Sequence, residues 1–195
     1  MGINLGFTIL LMILFADRET ADGEWIISDK SRLYIRGNTN INSFECSLKN
    51  YDSSDTLDYV EGRSEIKLVA RNTMTVPLHL FDCGSRQMTK DMRSALKERK
   101  HPNLEIRFHT FSGSAIRDNS YVMGIADIFL AGSNSRYTIR YHALRKGNVI
   151  KLTGTQSVNF ADFNLTPPQK LNGMIRVDEC LDVRFELELT ERDRL

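Results

Sequence analysis

Little in this sequence marks an enzyme or a nucleic-acid binder. Lysine and arginine number 26 against 25 acidic residues, so the net charge is +1 and no basic field exists to draw a polyanion. Arg71, Arg86, Arg93, Arg107, Arg117, Arg136, Arg140 and Arg145 are scattered among acidic residues, and no nucleic-acid partner is expected. His79, His101, His109 and His142 sit on separate segments without metal-ligand spacing, so no metal site is expected. There is no Gly-x-Ser-x-Gly elbow, no phosphate-cradling glycine loop and no Cys-x-x-Cys pair. Asp162, Asp178 and Glu179 flank turns and have no acid–base partner in the sequence. The expectation is a non-enzymatic protein that requires no cofactor. Proline is scarce too, with four in 195 residues, and two of them are adjacent at Pro167-Pro168. Each fixes φ and lacks a donor, so this stretch reads as a stiff bridge between strands rather than part of a sheet.

What is present suits one folded domain. Apolar residues make up 41% and charged residues 26%, both ordinary for a globular chain of this length. The N-terminus departs from that average. Ile3 to Ala16 is apolar apart from Asn4, Gly6 and Thr8, and Asp17-Arg18-Glu19 follows. The run is too short to span a bilayer comfortably as a helix and lacks amphipathic period. It matches the apolar part of an export signal over residues 1–16, although no lysine or arginine precedes it. A buried N-terminal strand or helix is the competing reading. Cys46 and Cys83 each end a short apolar segment and could pair across a sheet, leaving Cys180 over. Three cysteines allow three single bridges, and spacing does not choose among them. Three reduced, buried thiols are the alternative.

Period-two alternation dominates the rest. Trp25 to Asp29 and Ser31 to Asn40 read as strands, with a bulge suggested at Gly37. Tyr51 to Asp58 is polar and reads as a loop, and alternation resumes over Glu61 to Asn72. Leu104, Ile106 and Phe108 alternate with polar neighbours. Tyr121 to Ala131, Arg136 to Leu144, Val149 to Phe160 and Leu181 to Leu189 read as further strands, with turns at Gly132-Ser133-Asn134 and Arg145-Lys146-Gly147-Asn148. One segment differs. Gln87 to Arg99 places Met88, Met92, Ala95 and Leu96 on one helical face, with Ser85 or Thr89 as candidate caps and His101-Pro102 as the stop. The pattern is mainly β with one amphipathic helix, a sandwich or a barrel.

Several motifs, in order, carry a resemblance. Trp25-Ile26-Ile27-Ser28-Asp29-Lys30-Ser31 is similar to an opening Trp-x-Ile-Asp-x-x-Ser, with Ser28 at the usual Asp. Thr39 to Phe44 is similar to a second strand. Met88 to Arg93, Leu96 and His101-Pro102-x-Leu104-x-Ile106-x-Phe108 look like a helix followed by a Tyr-Pro-x-Ile-x-Phe strand, with His101 for the usual aromatic. Gly132 to Arg136 resembles a Gly-x-Thr-Arg turn, and Asp162-Phe163-Asn164-Leu165 with Pro167-Pro168 closes the match. Together they resemble the YceI-like proteins, a lipid- or polyisoprenoid-binding family of exported bacterial barrels.

The resemblance implies an antiparallel eight-stranded, lipocalin-like barrel over residues 24–191 that holds an isoprenoid lipid or quinone. It implies a periplasmic or secreted carrier whose partner is an amphiphilic lipid, and it leaves room for transient membrane contact. The oligomeric state is not readable. On this reading Leu104, Ile106, Phe108, Ile128, Leu130, Tyr137, Ile139, Leu152, Val183 and Phe185 line the lipid site. Arg86, Lys90, Asp91 and Arg93, near the helix start, would meet a polar head group. The alternative is an exported barrel whose core these side chains simply fill, acting as a structural or protein-interaction module.

Overall fold

Strands with apolar side chains at every second residue have one face to hide, and curling the sheet shut hides all those faces together. The computed structural model, which describes residues 21–52 and 54–192, shows the chain folded in this way. In chain order the elements are β1 (Gly23–Ile27), β2 (Arg32–Asn38), β3 (Ser43–Leu48), β4 (Thr56–Glu61), β5 (Glu65–Leu68), β6 (Thr73–Pro77) and β7 (Phe81–Asp82). Then come α1 (Arg86–Ala95), β8 (Asn103–Ser112), β9 (Ser120–Leu130), β10 (Ser133–Lys146), β11 (Val149–Asn159), β12 (Gln169–Lys170), β13 (Ile175–Arg176) and β14 (Cys180–Arg192). The export segment expected over residues 1–16 lies outside the described residues.

The wall runs β1, β4, β5, β8, β9, β10, β11, β14, with every neighbour antiparallel. β14 then pairs back onto β1, Ile27 opposite Leu189 and Glu24 opposite Arg192, so the eight-stranded barrel is closed. Two long strands serve two neighbours each. β14 gives its last residues to β1 but Asp182 to Glu186 to β2, which continues to β3 and β7. β8 gives Thr110 to Ser112 to β5 and its first half to β6. One end of the barrel is therefore walled by β2, β3, β7 and β6 in place of β1, β4 and β5. The 3-10 turn Leu78–Leu80 joins β6 to β7, and α1 follows directly.

Several sequence expectations are corrected here. Alternation alone marks no strand at β3 or β6, yet both pair regularly. The polar stretch from Tyr51 already enters β4 at Thr56. Tyr51 is buried because its hydroxyl donates to Asp55 Oδ2 at 2.8 Å, and the same oxygen accepts the Thr75 amide at 2.7 Å. Gly37 makes no bulge, since it pairs in register with Phe44. A Cβ there would sit 2.4 Å from the Phe44 ring, so the glycine makes room for that ring. The helix stops at Ala95, short of Arg99, because Lys97 turns left-handed at φ 56°. Its cap is Ser85, whose Oγ accepts the Met88 amide at 3.2 Å. The actual bulge falls between Phe108 and Thr110 and turns His109 out.

There His109 joins a pin on the outer wall. Asp127 of β9 accepts from Arg136 Nε at 2.6 Å and lies 2.8 Å from His109 Nε2. The hydrogen bond from Arg136 is the main cause that lowers the Asp127 carboxyl from its ordinary 3.8 to about 2. A depressed carboxyl stabilises the fold above its unfolded pKa and loses that contribution as pH falls through the folded value. Asp127→Asn should therefore cost about 1 kcal/mol at neutral pH, screening by exposed Arg136 included. Denaturant titrations of the two proteins should converge as pH drops from about 4 to about 2.

Inside, one half of the barrel is packed with rings. Trp25 stacks on Tyr59 at 4.2 Å, Phe111 meets Trp25 at 6.1 Å and Tyr141 at 6.0 Å, and Tyr141 meets Phe185 at 6.2 Å. Tyr141 fits only because its strand neighbours lack side chains. A Cβ on Gly124 or on Gly154 would come within 2.8 Å of its ring. Burial alone pushes the Tyr141 phenol up, and its hydroxyl has no partner among the described residues. An unmet buried hydroxyl costs on the order of 1–3 kcal/mol. Tyr141→Phe should thus be neutral or stabilising by about 1 kcal/mol, read as a midpoint shift in urea. A clear loss of stability would mean that the hydroxyl is satisfied in solution.

Candidate binding cavity

The other half of the barrel is not filled. A cavity of about 340 Å³ lies at the end walled by β2 and β3, within the size range of small-molecule sites. Its sides come from inward positions of six strands: Leu33 and Ile35 of β2, Phe44 of β3, Leu104 and Ile106 of β8, Ile128 and Leu130 of β9, Val158 of β11, and Leu181 and Val183 of β14. Phe185 stands where the hollow meets the ring-packed half. Trp25, Tyr59, Phe111 and Tyr141, the rings that fill the other half, do not border it.

α1 forms the roof. Met88, Met92, Ala95 and Leu96, the apolar face of the helix, border the cavity. The segment after β11 supplies Phe160 and Phe163. A capping box orders that turn: Asn159 Oδ1 accepts the Ala161 amide at 2.9 Å, and Asp162 Oδ2 accepts the Asn159 amide at 3.2 Å. Pro168 then leads into the β12–β13 hairpin, which gives Lys170 and Ile175 to the rim, while Thr39, Ile41 and Asn42 border it from the β2–β3 turn.

The polar part of the rim centres on one ion pair. Lys170 Nζ donates to Asp91 Oδ1 at 2.8 Å, and Gln87 Nε2 donates to the same oxygen at 2.9 Å. Burial opposes the charge on Asp91, but the hydrogen bonds from Lys170 and Gln87 outweigh it and hold the carboxyl below its ordinary range.

Of the ten residues expected to line a lipid site, Leu104, Ile106, Ile128, Leu130, Val183 and Phe185 border the cavity. Phe108, Ile139 and Leu152 are fully buried away from it, in the packed half. Tyr137 is partly buried beside Phe163, and its hydroxyl donates to Asp162 Oδ2 at 2.6 Å. Of the four residues expected at a head group, Asp91 borders the cavity. Arg86, Lys90 and Arg93 line a separate polar hollow on the other side of α1. Arg93 is engaged there, donating to the carbonyl oxygens of His79 and Phe81. Lys170, Ile175 and Ile41 had no local signal, because loop sequence does not show which surface a hairpin leans on. The apolar face of α1 was legible as a face, but not as a roof.

No family model and no curated protein matches the sequence. Solved structures do match the fold. A polyisoprenoid-binding domain from Saccharophagus degradans, implicated in plant cell wall breakdown, superposes with a TM-score of 0.60 at 12% identity, over 86% of this chain and 98% of that one. BcnA of Burkholderia cenocepacia gives 0.57 at 14% identity, over 82% and 96%. A YceI protein of Campylobacter jejuni gives 0.50 at 11% identity, over 70% and 81%. The closed barrel is thus a fold shared with a polyisoprenoid-binding domain, BcnA and a YceI protein. This chain has the YceI-type fold.

Proposed function

We propose that the protein is an exported, non-enzymatic carrier that holds the tail of an isoprenoid or other amphiphilic lipid in the barrel. The observation that carries this reading is the hollow half of the barrel, whose sides and roof are apolar and whose rim is polar. A methylene group takes roughly the volume of a water molecule, about 30 Å³. The 340 Å³ therefore has room for about ten such groups, roughly two isoprene units. At about 0.8 kcal/mol for each buried methylene, that tail gains roughly 8 kcal/mol before the cost of immobilising it. The Asp91–Lys170 pair at the rim would meet a polar head such as a phosphate or a quinone oxygen. Export to a periplasmic or extracellular location is supported by the apolar run Ile3 to Ala16 and by the Cys46–Cys83 disulfide.

Native mass spectrometry after detergent-free purification tests the reading. A bound species with the mass of a prenyl lipid, or uptake of added farnesol or a short-tailed quinone, is the expected result. A barrel that stays empty under several growth conditions and takes up neither compound would overturn it.

A further inference from the structure

We propose that the end of the barrel bearing the cavity mouth docks on an anionic lipid bilayer, through an apolar tip flanked by the basic outer face of α1. Two turns meet beside the mouth. The β2–β3 turn carries Ile41, 64% exposed, and the β12–β13 turn carries Leu171 and Met174, 67% and 74% exposed. The turns hold each other. Asn40 Nδ2 donates to the Met174 carbonyl at 2.9 Å, Asn40 Oδ1 accepts the Arg176 amide at 2.9 Å, and Thr39 bridges to Val177. The three apolar side chains thus sit on one braced tip, and exposure on that scale calls for a partner more than scattered single residues do.

α1 is tied to this tip by the Lys170–Asp91 ion pair. With its apolar face turned to the cavity, the helix leaves Arg86 and Lys90 exposed, and Lys97, Arg99 and Lys100 continue the basic face past its end. The acids on that face are Asp82, already held by Lys49, and Glu98. A chain of net charge +1 has therefore gathered a positive surface next to an apolar tip. Asp178 and Glu179 lie at the foot of the hairpin, beyond the Thr39–Val177 bridge. An anionic bilayer matches both features, since the acyl boundary accepts the tip and the head groups meet the cations. It also explains their place. A tail that passes from bilayer to cavity at this mouth need not cross water. Docking would serve the carrier reading, yet vesicle binding and tail uptake are separate measurements.

The experiment is vesicle flotation with the purified protein, comparing phosphatidylcholine alone with phosphatidylcholine mixed with phosphatidylglycerol. Binding to the mixed vesicles, lost at high salt and weak on the neutral ones, is expected. Leu171→Ser/Met174→Ser and Arg99→Gln/Lys100→Gln should each lower the partition roughly tenfold. All four residues lie outside the cavity lining, so farnesol uptake from solution should be unchanged in both variants. Equal binding to neutral vesicles, no binding to either kind, or binding insensitive to both pairs of substitutions would overturn the proposal. So would a tip covered in solution by a protein, seen as a stable complex that blocks flotation. If flotation succeeds while the cavity takes up no lipid, docking stands and the carrier reading falls.

Discussion

Val183→Trp should abolish lipid uptake while leaving the barrel folded. Val183 lies on the part of β14 that pairs with β2, and its side chain borders the cavity without being fully buried. An indole there has empty space to enter, so it does not have to displace packed neighbours, the usual cost of enlarging a core residue. The added bulk would occupy the volume of about three methylene groups of the tail, roughly 2.4 kcal/mol of burial at about 0.8 kcal/mol each. Affinity should fall roughly fiftyfold. The readout pairs farnesol uptake with thermal unfolding. Loss of uptake at an unchanged midpoint is expected. Unchanged uptake would place the ligand elsewhere, and the filled-core reading would then regain ground. Phe108→Leu is the control. Its ring lies in the packed half, so it should lower stability more than uptake.

That contrast shows where the sequence stops being informative. Leu104, Ile106 and Phe108 are two residues apart on one strand, all inward and all buried. Alternation predicts their common direction correctly. It does not predict that the first two face a void and the third faces rings. That depends on Phe111, which turns inward beyond the bulge of the same strand, on Tyr141, which arrives from β10, and on Gly124 and Gly154, which leave space for Tyr141. The strands, the helix and a cap at Ser85 or Thr89 were legible because each rests on a short-range rule, whereas alternation left sandwich and barrel open because closure depends on the distant β1–β14 pairing. β6 was missed because it is five residues long, ends in Pro77 and offers only Met74 and Val76 as an inward pair. The Asp91–Lys170 pair was out of reach because its members are 79 residues apart and the second sits in a hairpin of two-residue strands.

The hollow and packed halves also divide the labour. Rings, glycines and the β1–β14 seam fix the shape of one end. Outside that seam, Glu24 of β1 takes Arg192 Nη1 at 3.2 Å and also pairs with Arg71, which reaches Asp58 of β4 at 3.0 Å. The other end can then hold a space that contributes little to stability, and it needs its own support. α1 supplies the roof but buries none of its ten residues fully. Something besides its own packing has to hold it in place.

The Cys46–Cys83 disulfide does so, and breaking it should cost more stability than any substitution above. Cys46 lies on β3, and Cys83 sits between β7 and the cap of α1, so the bridge fixes the start of the helix against the wall. Around it, Asp82 accepts from Thr89 Oγ1 at 3.2 Å and pairs with Lys49 at 2.5 Å, contacts too exposed to hold the helix unaided. The bridge closes a loop with a sequence separation of 37, for which chain entropy gives about 4 kcal/mol at 25 °C. In a chain of this length that corresponds to a midpoint lower by roughly 10 °C. Cys46→Ala/Cys83→Ala, or wild type in reductant, should show that drop by calorimetry. Cys180→Ser should show none, since Cys180 is exposed and unbridged. Because the tether lies at the roof, the double variant should also release bound lipid faster than Cys180→Ser does. A midpoint indifferent to reductant and to the double substitution would show that the two sulfurs are not joined in solution, and would remove one support for export.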